Sequence, residues 1–256
     1  MSRINLAISG PPRNGTSALR RLVNVDPRIM IFHESNFFKM WDDKVYGAND
    51  FKLNLNLRKE LPEYSGIMAD KGLDFDKFFE TLKKNGPFTG DQVLDYLYNN
   101  TSATVVGDKN PVSYVNDMNT VLSRPNSKLV VIVRDGRDAI ASYVRHWHTK
   151  KDKAHWMKPT IEQAQHVWLN TVRRIWGQTT ESILVVSLEK VAAHKKAFMR
   201  GLQLYLGLEE RNIKDECLYY EPFGPVRVGI WKEEIPDVMS KVNDEFIHYM
   251  KLFDYI

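Results

Sequence analysis

The stretch ISGPPRNGTSALRRL, residues 8–22, lies between a short apolar run and an amphipathic segment. Gly10 and Gly15 stand where the phosphate-binding pattern G-x-x-x-x-G-K-[ST] has its two glycines. Thr16 replaces the lysine of that pattern, and the nearest cation is Arg13, inside the loop. The stretch therefore predicts a strand, a phosphate-binding turn and a helix. It argues against magnesium with a nucleoside triphosphate, because that chemistry uses the missing lysine.

Apolar runs and helical spacings alternate along most of the chain. Strands are predicted for INLAIS (4–9), RIMIF (28–32), ATVVGDK (103–109), KLVVIVRD (128–135) and SILVVSLEKV (182–191). Helices are predicted for TSALRRLVNV (16–25), DAIASYVRHW (138–147), IEQAQHVWLNTVRRIW (161–176) and AFMRGLQLYLGL (197–208). The alternation predicts an α/β protein with a three-layer, P-loop-like fold, in which helices cover both faces of a central parallel sheet.

Length and composition favour one domain over residues 1–256. No low-complexity run, repeat or Pro/Gly-rich linker divides the chain, and residues 40–100 are expected to form a less regular, helical insertion. The net charge of +4 fits either an ordinary surface or an anion site, and is too small to predict a nucleic-acid partner.

The first residues and the single cysteine predict where the protein works. Cys217 is the only cysteine, so no internal disulfide can form and a reducing compartment is favoured. The first apolar run begins at Ile4, directly before the loop, which leaves no room for a signal peptide or a membrane anchor. We expect a cytoplasmic protein without a transmembrane segment.

A second anion site is predicted after the most apolar strand. That strand ends in Arg134, where a magnesium site would have a carboxylate, and Ser142 follows eight residues later on the next helix. A guanidinium, a hydroxyl and free helix amides together would bind a phosphate. The alternative is a structural ion pair between Arg134 and Asp135 or Asp138.

Five segments in this order resemble the sulfotransferases that use 3′-phosphoadenosine 5′-phosphosulfate. They are PPRNGTSAL, GDKNP, RDGRDAIASY, LYLGL and RVGIWKEEI, and they span nearly the whole chain. The resemblance implies transfer of a sulfonate to an acceptor hydroxyl on a saccharide, peptide tyrosine, lipid or small alcohol. No metal is implied, because the transferred sulfonate carries one negative charge, which fixed cations can balance.

The resemblance also implies a role for each site residue. Arg13 would hold the 5′-phosphate and the sulfonate, and Lys109 would stabilise the leaving oxygen. The remaining donor-binding residues would be Asn14, Gly15, Thr16 and Ser17 around the 5′-phosphosulfate, and Arg134, Ser142 and Arg227 around the 3′-phosphate. Two positions depart from the family pattern. Leu188 replaces a tyrosine, and Asn14 replaces Ser or Gly with an expected change in a local hydrogen bond only.

The general base is predicted at the end of the second strand. His33 and Glu34 are both candidates, and because neighbouring strand residues point to opposite faces, only one is expected to reach the site. The spacing matches the glutamate of the protein-tyrosine branch of the family, which favours Glu34. A base buried in such a cleft would have a raised pKa.

The sequence leaves two rival functions open. An atypical P-loop kinase would need magnesium and prefer ATP, and an inactive nucleotide-binding module would have no need for Glu34.

The segment HWHTKKDKAHW carries His146, His148 and His155. It lacks a cysteine and is dominated by lysines and tryptophans, so a basic, aromatic lid is favoured over a metal.

Overall fold

A central sheet of five parallel strands organises the protein. The computed structural model describes residues 3–38, 71–85, 88–149, 159–176, 178, 180–214 and 227–256. The strands are β1 (Ile4–Ser9), β2 (Ile29–His33), β3 (Val105–Lys109), β4 (Ser127–Val133) and β5 (Ile183–Ser187). Their order in the sheet is β2-β3-β1-β4-β5, and every pairing is parallel. The predicted α/β fold with a central parallel sheet is confirmed.

Helices connect the strands. Before β4 these are α1 (Thr16–Val23), α2 (Phe75–Asn85), α3 (Gly90–Asn100), α4 (Ser113–Asn116) and α5 (Met118–Leu122). After β4 they are α6 (Gly136–His148), α7 (Ile161–Ile175), α8 (Leu188–Ala193), α9 (Lys195–Tyr205), α10 (Trp231–Glu234), α11 (Val238–Lys241) and α12 (Asp244–Leu252). Helices α2 and α3 lie within the predicted insertion, of which residues 40–70, 86 and 87 lie outside the described residues. None of the described helices is both long and apolar enough to cross a membrane.

Alternate residues of the central strands face two separate hydrophobic cores. In β4, Val130 and Ile132 pack with Leu19 of α1 and Leu202 of α9. The intervening residues of β4 face the other core, which is built around Trp168 of α7. Because both faces are covered, β4 carries an unbroken apolar run from Leu129 to Val133, which is typical of parallel sheets.

The predicted last strand is too long. β5 ends at Ser187, whose hydroxyl accepts a hydrogen bond from the backbone N–H of Lys190 and so caps α8. The segment from Leu188 to Val191 is therefore helical, because a serine N-cap outweighs the apolar pattern. The predicted helix 197–208 also ends early, at Tyr205.

The strand order places the two predicted anion sites beside each other. β1 and β4 are neighbours, with Ser9 opposite Val131. The chain leaves β1 towards one edge of the sheet and leaves β4 towards the other. Such a switch point opens a crevice at the carboxyl ends of the two strands, where ligands of this fold class bind.

Candidate active site

The glycine loop between β1 and α1 has the shape of an anion-binding turn. Gly10 has a φ of 152°, and a Cβ atom there would lie 2.2 Å from the carbonyl oxygen of Ile132. Gly15 has a φ of 86° and precedes α1, and no side chain caps that helix end. The first amides of a helix have no intrahelical partner, and the helix dipole makes this end positive. The loop is therefore suited to a phosphate group.

The floor beneath the loop is aliphatic. Thr16 begins α1 and is buried, whereas Ser17 is half-buried. A Cβ atom on Gly15 would lie 2.6 Å from Cδ1 of Leu188, so any larger residue here would have to displace that side chain. Leu188 stands where the family pattern has a tyrosine. Aliphatic packing under the loop takes the place of an aromatic contact at this position.

Asn14 links the loop to the end of β4. Its side chain is fully buried, and its Nδ2 donates to the carbonyl oxygen of Pro12 at 3.0 Å. Its Oδ1 accepts from the backbone N–H of Arg134 at 2.6 Å. The expectation that Asn14 alters only a local hydrogen bond is therefore wrong. The amide can bridge to the neighbouring strand because the β1–β4 pairing brings that strand within reach.

The two predicted anion sites meet in one cluster of cations. Nε of Arg13 lies 3.4 Å from Oγ of Ser142. Arg134 is 7% exposed, and its Nε is buried with no hydrogen-bond partner among the described residues. Burial lowers the pKa of Arg13, and the charges of Arg145 and Arg134 lower it further. Crowded guanidiniums with an unused buried donor fit an anionic ligand with more than one phosphate.

Arg134 also takes part in a structural network. One Nη atom lies 3.4 Å from a carboxylate oxygen of Asp138, as the ion-pair alternative predicts, while Asp135 instead caps α6. Asp138 is fully buried and accepts from the backbone N–H groups of Gly229 at 2.8 Å and Trp231 at 3.2 Å. Asp138 therefore anchors the late segment to α6. The four-residue spacing indicates the pair with Arg134, but no local signal indicates the contacts with Gly229 and Trp231.

Arg227 reaches the site through its backbone. Its carbonyl oxygen accepts a hydrogen bond from Arg134. Its side chain is half exposed and pairs with Glu233 at 3.0 Å. The predicted donor-binding role of this guanidinium stays a prediction.

Lys109 and Glu34 form a close pair at the ends of β3 and β2. Lys109 is 1% exposed, and its Nζ donates to Oε1 of Glu34 at 2.6 Å. Burial raises the pKa of Glu34, but the charge and the hydrogen bond of Lys109 outweigh it, so the pKa is lowered. The expectation of a raised pKa is therefore wrong. The sequence could not show it, because the two residues lie 75 positions apart.

His33 lies beside the same carboxylate. β2 ends at His33, and Glu34 has a φ of 54°, so the alternation of an extended strand stops between them. Nε2 of His33 lies 3.8 Å from Oε1 of Glu34. The expected opposite orientation of the two side chains is wrong, because the left-handed residue brings them together. Which of the two acts as the base stays a prediction.

A buried carboxyl holds the turn that carries Glu34. Asp108 is fully buried in β3 and accepts from the backbone N–H of Asn36 at 2.7 Å and from the hydroxyl of Tyr114. Burial raises the pKa of Asp108 to about 7, although these hydrogen bonds oppose the shift. The sequence prediction passed over Asp108, although it stands directly before Lys109. It is a positioning residue, since its contacts fix the turn after β2.

The histidine-rich segment lies only partly within the described residues. His146 and His148 belong to the last turn of α6, whereas His155 lies outside the described residues. Within the described ranges, no three or more His, Cys, Asp and Glu residues cluster in a way that could hold a metal ion.

The pKa of His33 predicts a pH-dependent contribution to stability. Burial lowers this pKa from 6.5 to about 4, and the charge of Lys109 acts in the same direction. Between pH 6.5 and about pH 4, the unfolded chain therefore binds a proton at His33 that the folded protein does not bind. Stability from the neutral ring is full above pH 6.5 and is lost as the pH falls towards 4. We expect His33→Gln to lose less free energy of unfolding than the wild type between about pH 7 and about pH 4.5.

Urea denaturation of both proteins at the two pH values measures this difference. Glutamine keeps a polar side chain at the site but does not titrate. Equal losses in the two proteins would show that His33 takes up its proton as readily in the folded protein as in the unfolded chain.

Comparisons with known proteins agree with this geometry. The profile of the sulfotransferase family matches residues 6–212. A search of curated proteins found no match. Among solved structures, the sulfotransferase domain of the Synechococcus PCC 7002 olefin synthase is 18% identical, with a TM-score of 0.63 and coverage of 100% of this chain and 97% of that chain.

Two further structures extend the comparison. The sulfotransferase domain from the curacin biosynthetic pathway is 16% identical, with a TM-score of 0.63 and coverage of 100% of this chain and 99% of that chain. A mouse sulfotransferase complexed with PAP is 12% identical, with a TM-score of 0.50 and coverage of 96% of this chain and 84% of that chain. At these identities the structural likeness shows the fold alone.

Proposed function

The chain belongs to the sulfotransferase family, and we propose that it transfers a sulfonate from 3′-phosphoadenosine 5′-phosphosulfate to an acceptor hydroxyl. The second product is adenosine 3′,5′-bisphosphate (PAP), the compound with which the mouse sulfotransferase is complexed. The observation that carries the proposal is the pair of Lys109 and Glu34. It lies at the same edge of the sheet as the glycine loop, where a base and a cation are both needed.

The loop and the cation cluster fit the two ends of the donor. The uncapped start of α1 and Arg13 would hold the 5′-phosphosulfate, together with Thr16 and Ser17. Arg134 and Ser142 would hold the 3′-phosphate, and the buried, unused Nε of Arg134 supports this role. Fixed guanidiniums then balance the negative charge that a metal ion balances in phosphoryl transfer.

Glu34 and Lys109 would carry the chemistry. The bound donor supplies a sulfonate and, as the leaving group, a phosphate oxygen. Glu34 accepts the proton of the acceptor hydroxyl as the hydroxyl oxygen bonds to sulfur. Lys109 donates to the leaving oxygen as the old sulfur–oxygen bond breaks.

The ion pair also explains how the base is controlled. In the free protein, Lys109 lowers the pKa of Glu34 and so weakens it as a base. When the ammonium turns to the leaving oxygen, Glu34 loses its strongest partner and its proton affinity rises. The base therefore becomes effective once the donor is in place.

Donor recognition is tested by binding without metal. We expect PAP to stabilise the protein against thermal unfolding more than 5′-AMP does. Arg134→Ala should weaken the binding of PAP by about one to two decades, because a charge-assisted contact in a desolvated site contributes about 1.5–3 kcal/mol. Titration calorimetry measures both affinities.

Arg200→Ala is the matched control, because Arg200 forms an exposed pair with Glu210. The neighbouring Glu209 contacts Arg28 just before β2, at the edge of the sheet opposite the donor site. Equal stabilisation by 5′-AMP would remove Arg134 and Ser142 from the donor site. Tighter binding of ATP with magnesium would favour the kinase alternative.

An acceptor panel with labelled donor then tests saccharides, peptide tyrosines, lipids and small alcohols.

A further inference from the structure

Glu234, the last residue of α10, lies between two arginines from separate parts of the chain. Its Oε1 accepts from Nη1 of Arg145 at 2.6 Å and lies 3.9 Å from Nη1 of Arg227. Its Oε2 is buried and accepts no hydrogen bond within the described part of the chain. The carboxylate therefore sits where two guanidiniums converge, with one of its two oxygens unused.

Both arginines adjoin the proposed donor site. Arg145 follows Ser142 by three positions in α6, so the two side chains lie on one face of that helix. The positive charge of Arg145 acts on Arg13 in the loop. The backbone carbonyl of Arg227 accepts from Arg134. Glu234 thus lies at the margin of the cation cluster.

A phosphate suits this position better than a carboxylate does. A phosphate carries more negative charge and three free oxygens, and it can accept from two guanidiniums at once. Glu234 uses one oxygen for both arginines and leaves the other without a donor, which costs free energy in a buried place.

We propose that Glu234 is an internal competitor for the 3′-phosphate of the donor, and that Arg145 is a further donor-binding residue. The inference rests on the proposed function. In the free protein, Glu234 neutralises Arg145 and shares Arg227 with Glu233. The 3′-phosphate displaces it, and the two arginines exchange a carboxylate for a phosphate.

The proposal predicts that removing an acid tightens binding. Glu234→Gln keeps the shape of the side chain but releases the competition, so the affinity for PAP should rise about two- to tenfold. The affinity for 5′-AMP should change less, because 5′-AMP lacks the 3′-phosphate. Arg145→Ala should weaken PAP binding and should abolish most of the gain from Glu234→Gln in the double variant.

Titration calorimetry on the full chain tests these expectations, with thermal unfolding as the check that each variant is folded. Glu210→Gln is the matched control, since it removes one exposed negative charge far from the site. Glu233→Gln is a second variant. Among the described residues the exposed Glu233 carboxylate pairs only with Arg227, so its removal should give a smaller gain.

Each outcome decides between the two proposals. If the wild type does not bind PAP, the proposed function itself fails. If the wild type binds PAP but Glu234→Gln binds it no more tightly, Glu234 is not a competitor. An equal gain in Glu210→Gln would reduce the effect to net charge, and an undiminished gain in the double variant would remove Arg145 from the donor site.

Discussion

Replacing Glu34 with glutamine is expected to lower turnover by about two to four decades, the range that general-base catalysis contributes. Glutamine keeps the size of the side chain, and its carbonyl oxygen can still accept from Lys109. It cannot take up the proton of the acceptor hydroxyl. Donor affinity should stay near the wild-type value or increase, because the buried ammonium of Lys109 loses its counter-charge and the donor phosphate can supply one. Turnover at saturating donor and calorimetric donor affinity measure the two effects.

His33→Ala is the control for Glu34. Its ring lies 3.8 Å from the same carboxylate, so this variant perturbs the surroundings of the base and leaves the base in place. We expect a loss of turnover about tenfold or less, well below that of Glu34→Gln. An inactive His33→Ala together with an active Glu34→Gln would assign the base to His33. An active Glu34→Gln with normal donor binding would exclude Glu34 as the base.

Lys109→Met is expected to lower turnover by about a hundred- to a thousandfold, the usual loss when a preorganised donor is removed. Methionine fills most of the space of this buried side chain but cannot neutralise the leaving oxygen. Donor affinity should fall much less, because the charge of Lys109 matters most in the transition state. Single-turnover rates at saturating donor measure the chemical step directly.

Arg13→Ala should likewise lower turnover more than donor affinity, since Arg13 would face the sulfonate oxygens.

The Lys109→Met variant also removes the ion-pair partner of Glu34, which can lower stability. Its thermal unfolding is therefore compared with that of Lys128→Met, which removes a lysine from the start of β4. Normal turnover at saturating donor in a folded Lys109→Met protein would exclude this lysine from the mechanism.

The fold and the family were predictable because their signals are local. The alternation of apolar runs with helical spacings determined the α/β fold, and both the fold and the sulfotransferase family are confirmed. The strand–loop–helix arrangement around Gly10 and Gly15 follows from two glycines at a fixed spacing. Such signals depend on residues a few positions apart, so periodicity and turn chemistry are enough to show them. The single domain over residues 1–256 and the individual residue roles stay predictions.

Local rules failed where the chain departs from regular geometry. Strand alternation placed His33 and Glu34 on opposite faces, but the left-handed backbone at Glu34 brings both to one place. The apolar pattern extended the last strand to Val191, but the Ser187 cap begins a helix at Leu188. In each case one residue changes the backbone state, and a periodic pattern cannot register this.

Only the tertiary structure decided which partners the charged and polar groups have. The sequence determined that Arg13, Glu34, Lys109 and Arg134 lie at the carboxyl edge of the sheet, because each follows or ends a strand. It did not determine that Lys109 lowers the pKa of Glu34, or that Asn14 accepts from the backbone of Arg134, 120 positions away. Electrostatic energies depend on distance and burial in space, and the strand order β2-β3-β1-β4-β5 sets both.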